Sequence, residues 1–230
     1  MFLRLLCILF ASTWLALAAG DELLNARDRQ DSAAIQSLIS QYERTANQDP
    51  KSAPAQYQLA RAYSYGAEVA METRDKKKAE SLAEAGLAAA QKAVDENGAN
   101  AEYHRLLGAL CGQVIPANPI MGTLKYGPCA RDEIDKAIQM NGNLALAYVS
   151  RGVGTYYLPP SMGGGIDAAI KDFDKAISIN PNLADAYLWK GIALHKANRN
   201  AEARKALQKA LDLDPQRVWT KEQLNKLPAQ

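Results

Sequence analysis

The feature that most constrains this chain is a spacing. Residues 184 to 215, ADAYLWKGIALHKANRNAEARKALQKALDLDP, read as a helical hairpin: Gly191 and Ala203 let two antiparallel helices approach, Leu194 and Leu207 fill the groove beside them, and Pro215 stops the second helix. The end of that phrase has three upstream copies, QKAVDEN at Ala93, DKAIQMN at Ala137 and DKAISIN at Ala176, before QKALDLD at Ala210. The intervals are 44, 39 and 34 residues. A hairpin of this size cannot bury its apolar face alone, so copies in tandem must stack into a linear array with a shared core.

The starts at Ala53, Ala101, Ala145 and Ala184 give repeats of 48, 44, 39 and 34 residues, so the last is the plain unit and the others carry inserts of 14, 10 and 5. Each repeat matches from its start through the first helix and from its end back through the second. The inserts therefore fall at the turn inside each hairpin and are expected to project along one edge. Val, Ile and Thr form no alternating runs in the mature chain, which leaves a sheet without a source. The expected fold class is all-α, a right-handed solenoid of about four repeats between capping helices.

The expected boundaries are a signal peptide over 1–20, an N-terminal capping helix over 21–52, and an elongated repeat over 53–100. A second repeat over 101–144 has a proline-rich loop at 112–128, and a third over 145–183 has a loop at 158–165. The plain repeat covers 184–217, and a C-terminal capping helix and tail cover 218–230. Residues 31 to 48 read as an unpaired half-repeat with Asp31 as its N-cap, and Trp219 and Leu224 are expected to close the last repeat.

The slots Tyr187, Gly191, Leu194, Ala203, Leu207 and Pro215 resemble the tetratricopeptide pattern. Leu59, Ala60, Tyr63, Gly86 and Ala90 fill it in the first repeat, Leu107, Gly108, Cys111, Ala130 and Ile134 in the second, and Tyr148, Gly152, Ala169, Phe173 and Pro181 in the third. The resemblance spans residues 53 to 217. Arg151 and Lys190 depart from it in the leucine slot, where only their aliphatic stems would pack. Gly98 and Gly142 replace the terminating proline and are expected to end their helices in the left-handed conformation. The long first hairpin, the AEAG at Ala83 to Gly86 and the YYLPP and GGG insert together resemble periplasmic tetratricopeptide components associated with TRAP transporters. That likeness implies a helper for solute uptake.

Met1 to Gly20 holds one basic residue, Arg4, then the run LLCILFASTWLALAA, shorter than the roughly 20 residues of a membrane span, then small residues suited to cleavage after Ala18 or Gly20. Export to the periplasm or outside the cell is expected, with an uncleaved membrane anchor as the alternative. Cys7 lies too early for a lipid-acceptor cysteine. Without Arg4 the chain has 26 basic and 25 acidic residues, a balance that gives no reason to expect nucleic acid or an anionic membrane as partner. No stable span is expected after cleavage, and an oligomer is left open.

The mature chain keeps two cysteines, Cys111 in an inward slot of a first helix and Cys129 beside Ala130 at the start of its antiparallel mate, with 17 residues between them. In an oxidising compartment they are expected to pair and close the proline-rich loop, with two buried free thiols as the alternative. Catalysis has little support: His104 and His195 are 91 residues apart, and there is no nucleophile elbow, Walker loop or CxxC. No cofactor and no metal is expected.

The tetratricopeptide resemblance implies a functional surface on the concave side lined by the first helices, joined by the hairpin-edge loops. Helical offsets place Tyr57, Arg61 and Tyr65 there from the first repeat, Arg105 and Gln113 from the second, Val153 and Tyr157 from the third and Lys196 from the fourth. Tyr126 joins from the proline-rich insert. Tyrosine and arginine are common binding anchors. The ordered Lys and Asn set of chaperone-tail-binding relatives is missing, which argues against a carboxylate clamp. The expected activity is non-catalytic binding of a protein or peptide. The alternative is a solute-binding accessory of a periplasmic transport system, with an apolar cavity under Tyr126 and Tyr157.

Overall fold

A computed structural model describes residues 22–117 and 119–228, so the expected signal segment over 1–20 lies outside the described residues. Helix α1 covers 22–28 and is followed by α2 (Ser32–Gln48), α3 (Ala53–Glu72), α4 (Lys76–Glu96), α5 (Ala101–Val114) and α6 (Pro119–Met140). Then come α7 (Ala145–Tyr157), α8 (Ile166–Ile179), α9 (Ala184–Lys196), α10 (Asn200–Leu213) and α11 (Val218–Asn225). The described residues form no strand, and none of their helices is long and apolar enough to cross a membrane.

The starts of four helices are written in short polar side chains. Asp31, Ser52, Asp75 and Asn100 each accept a hydrogen bond from a first-turn N–H, those of Ala34, Ala55, Lys78 and Glu102. Each satisfies a donor that the helix itself leaves unpaired. The pairs α3 with α4, α5 with α6, α7 with α8 and α9 with α10 form hairpins. The first helices α3, α5, α7 and α9 touch in succession and build one wall of the solenoid. Two glycines set the hairpin spacing: a Cβ on Gly152 would lie 2.5 Å from the Phe173 ring, and one on Gly191 would lie 2.6 Å from Leu207 Cγ. One buried cluster fills the N-terminal half, from Leu23 to Val114, and a second centred on Phe173, Leu188 and Leu207 fills the C-terminal half with Trp219 and Leu224 against it.

The expected ends of the repeats need correction. Neither Gly98 nor Gly142 has a positive φ. The residue before each does the work: the side-chain oxygens of Asn97 and Asn141 accept from the N–H two residues on, as do those of Asn180 and Asp214 in the other two repeats. Such turns satisfy the chain's own backbone and end a helix without left-handed geometry. Left-handed residues sit inside the hairpins instead, at Arg74 and Asn198.

Gln30 is also left-handed, and the bonds around it match those around Arg74 and Asn198: Asp31 N–H to Ala26 O, Asp75 N–H to Ala70 O, and Arg199 N–H to Leu194 O. The N-terminal unit is therefore no unpaired half-repeat. It is a hairpin of the same kind, with α1 in the first-helix position, Leu23 where Gly191 stands and Arg27 where His195 stands.

The inserts also take different forms rather than one edge of loops. In the first repeat they are absorbed as helix, since α3 and α4 have 20 and 21 residues against 13 and 14 in α9 and α10. The expected loop at 112–128 is mostly helix: α5 ends at Val114, a 3-10 turn covers Ile115–Ala117, and α6 runs 22 residues from Pro119. Its prolines misled, because Pro119 occupies the first turn, where its missing N–H costs nothing, while Pro128 is carried inside the helix. The start of α6 rests on the turn so closely that a Cβ on Gly122 would lie 2.9 Å from Ile115 Cα. Between α7 and α8 a true loop remains, with Gly163 and Gly165 at φ 79° and 112°.

Candidate functional site

The first-helix wall carries two joined clusters, one ionic and one aromatic. The ionic cluster starts on the seven residues by which α3 outruns α9. The positions Tyr57, Arg61 and Tyr65 continue at helical spacing into Glu68 and Glu72, so the extension adds two carboxylates to the same side. Arg217, in the turn before α11, reaches both: Nη2 donates to Glu68 Oε1 at 2.7 Å and to Glu72 Oε1, and Nη1 donates to Glu72 Oε2 at 3.0 Å. Arg27, at the end of α1, donates to Asp28 and, at 2.8 Å, to Asp185 Oδ2 on α9. Its guanidinium lies 5.0 Å from the Tyr65 ring centre, a cation–π contact.

The first and last hairpins are therefore tied together across the first-helix side. Two guanidiniums, Arg27 and Arg217, face four carboxylates, Asp28, Glu68, Glu72 and Asp185. Arg217 is 1% exposed, and its Nε has no hydrogen-bond acceptor, with Asp28 Oδ1 3.7 Å away. Burial and the neighbouring Glu68 push the Glu72 carboxyl up to about 7, and burial pushes that of Asp28 up to about 6. Asp185 goes the other way: burial opposes ionisation there, but Arg27 and Arg217 outweigh it and hold the carboxyl below its usual value.

The expected site residues of the first two repeats converge beside this cluster, bonded to one another. Arg61 and Arg27 share the Tyr65 ring. Tyr57 donates to Glu102 at 3.1 Å and stacks on Tyr103, while Arg105 forks onto Glu102 at 2.7 and 2.6 Å and reaches Ser150 on α7. Gln113 exchanges hydrogen bonds with Ser64. These residues form a wall already satisfied from within, and Arg27 closes over part of it.

The aromatic cluster follows from Arg217, whose guanidinium lies 5.7 Å from the Trp219 ring centre. Trp219 meets Trp189 edge-on at 5.3 Å, and Trp189 meets Tyr156 and Tyr157 at 6.3 and 6.5 Å. Tyr157 remains 68% exposed. Val153 packs beside this run, and Lys196 is exposed at the end of α9. Tyr126 is elsewhere, on α6 with its hydroxyl 3.5 Å from Glu84 on α4. Tyr126 and Tyr157 thus have different neighbours and do not frame the expected solute cavity. Two open depressions lie away from them, one of about 540 Å³ at the inter-repeat turns of Asn97 and Asn141.

Cys111 and Cys129 form a disulfide with their Cα atoms 6.1 Å apart, which pins α6 to α5. His104 is buried, with Nδ1 2.5 Å from Glu133 and Nε2 2.9 Å from the Gly98 carbonyl, so it ties α5 to α6 and to the preceding turn. Arg151 and Lys190 use more than their stems: they pair at 2.6 Å with Asp172 and Asp174, both on α8, which is the facing helix for Arg151 and that of the preceding repeat for Lys190. No group of three or more His, Cys, Asp or Glu converges as a metal site among the described residues.

Sequence reasoning missed Arg27, Asp28, Glu68, Glu72, Asp185 and Arg217. Glu68 and Glu72 were within reach, because they extend the stripe of Arg61 and Tyr65. Arg27 and Arg217 belong to turns at opposite ends of the chain, and nothing local pairs residues 190 positions apart.

A family model described as Regulator of microtubule dynamics protein 1-3 matches residues 16–158, and one described as Tetratricopeptide repeat matches residues 164–223. No curated protein matches the chain. Among solved structures, TTC0263, a thermophilic TPR protein in Thermus thermophilus, is 18% identical with a TM-score of 0.62, covering 84% of this chain and 92% of that one. The HusA haemophore from Porphyromonas gingivalis is 19% identical with a TM-score of 0.59, covering 87% of this chain and 92% of that one. At these identities the likeness is one of fold. Neither family match bears on the narrower likeness to transporter components.

Proposed function

This chain belongs to the family described as Regulator of microtubule dynamics protein 1-3 and is built of tetratricopeptide repeats; from that premise we propose that it is a non-catalytic scaffold binding a protein partner along its first-helix side. The observation that carries this reading is the aromatic end of an arc, Trp219 and Trp189 leading to the exposed Tyr157, which the buried Arg217 joins to Arg27 and Tyr65. Arginine, tryptophan and tyrosine are the side chains that most often dominate binding at protein interfaces. Repeat proteins present such residues on rigid helices, so little ordering cost falls on the scaffold. The family's name speaks of a regulator of a protein polymer, and the proposal takes from it only that its members act by contact with protein. Export, followed by cleavage after Ala18 or Gly20, belongs to the same proposal, as does a peptide as the form in which the partner is met.

The test is affinity capture by the mature chain in its native compartment, with wild type compared with Tyr157→Ala. The ring stands largely in solvent, so the variant should keep its helical circular dichroism while the captured partner falls by about tenfold, the cost of losing one interface anchor. Recovery of the same partner at unchanged yield by Tyr157→Ala would remove the aromatic end of the arc from the binding surface.

A further inference from the structure

We propose that Glu68 and Glu72 form a guanidinium seat that an arginine-bearing segment of a partner protein enters by replacing Arg217. In this account Arg217 is a resident ligand, and the C-terminal cap that carries it, Arg217 to Leu227, is a displaceable plug. The inference rests on the reading of the first-helix side as the partner-binding surface and specifies the chemistry of the partner.

Charge is the first argument. Lifting Arg217 away leaves Asp28, Glu68, Glu72 and Asp185 facing Arg27 alone, four carboxylates against one guanidinium. An acidic site so little exposed must either take up protons or take up a cation. Shape is the second. The two terminal nitrogens of Arg217 divide between Glu68, Glu72 and the Arg27 carbonyl, a planar fork that a lysine ammonium cannot reproduce. Fit is the third. Arg217 is buried, yet its Nε lacks an acceptor, so the resident arginine is held with one donor unsatisfied. A buried donor in that state costs the cap part of its binding energy, which a better placed arginine recovers.

The cap is short, with Arg217, Thr220 and Leu227 as its buried side chains. Helix α11 has eight residues, is the last helix among those described, and packs on α10. Its aromatic member Trp219 lies against Trp189, so an incoming segment with an arginine followed two residues later by an aromatic ring would reproduce both contacts.

The experiment uses the full mature chain and a fluorescent peptide, QRVWT, which copies residues 216 to 220, beside versions with lysine or alanine in place of its arginine. Arg217→Ala should bind the arginine peptide at least about tenfold more tightly than wild type does, and the lysine and alanine peptides should bind about tenfold more weakly than the arginine one. Adding Glu68→Gln and Glu72→Gln should abolish the difference between peptides. In wild type, saturating arginine peptide should speed amide hydrogen exchange across 217–227, a reading that needs no variant to fold. Equal binding of the three peptides by folded Arg217→Ala overturns the seat, as does unchanged exchange in wild type at saturation. Exchange of 217–227 between two copies, seen as a wild-type dimer, would also overturn it, because the seat would then serve self-assembly. None of these failures touches the Tyr157 capture result, so the two readings fall separately.

Discussion

The long hairpin of α3 and α4, which opens the first full repeat, and the last hairpin, of α9 and α10, differ by seven residues in each helix, and that difference separates what folds the chain from what distinguishes it. The last hairpin closes on Gly191, Ala203 and Leu207, and its surface pair Arg199 and Glu202 lies in solvent. The long hairpin uses the same packing and then continues. Its extra turns carry Glu68 and Glu72 to Arg217, a residue the plain repeat delivers from the other end of the molecule. An insert in a repeat protein need not be a loop to be specific. Here it is added helix, and its chemistry appears where the solenoid's ends meet.

The largest effect is expected at Arg217. Arg217→Ala leaves Glu68 and Glu72 facing each other without their guanidinium, and the expected loss is about 3–5 kcal/mol, read from urea unfolding at pH 8. A loss below about 1 kcal/mol would mean that the cluster is solvated in solution. Next comes the disulfide. Replacing Cys111 and Cys129 by serine should cost about 3 kcal/mol on the loop-entropy account of a loop of roughly this length. It should leave the Arg217 effect unchanged, because the two sites share no contacts.

A smaller effect is a pH dependence. Glu72 and Asp28 have folded values raised to about 7 and about 6, so the folded chain holds protons there that the unfolded chain has already released. Stability from these groups is present below the unfolded carboxylate range and is lost as pH rises through 6 and 7. The groups that face them are Arg27, Arg217, Glu68, Gln30 and Asp214. The unfolding midpoint should therefore be higher at pH 5 than at pH 8, and Glu72→Gln should flatten that slope. Asp185, with its lowered value, loses its contribution only in stronger acid. The smallest effect sits on the plain repeat: Arg199→Ala, which removes an exposed pair, should leave the midpoint unmoved within error.

Much of the fold was legible because repeats state their own period. The spacing of Ala93, Ala137, Ala176 and Ala210 marks the hairpins, and Asp31 caps α2 as an aspartate before a helical run should. The proline-rich insert was misread because proline signals a break only where an N–H is needed, and Pro119 stands where none is. The helix ends were misread because Asn97 and Asn141 supply the turn that the following glycine seemed to require. Tyr57, Arg61, Tyr65 and Arg105 could be placed on one side from helical offsets alone. That they are occupied with one another, and that Arg27 covers Tyr65, depends on contacts between distant parts of the chain.

Arg217 and Glu72 hold the two ends of the solenoid together. A double-mutant cycle with Arg217→Met and Glu72→Gln, followed by urea unfolding at pH 8, measures this tie directly. The paired change is expected to cost less than the sum of the single ones, by about 1.5–3 kcal/mol, the coupling of a charged hydrogen-bonded pair. Additivity within about 0.5 kcal/mol would contradict it, placing the two side chains apart in solution.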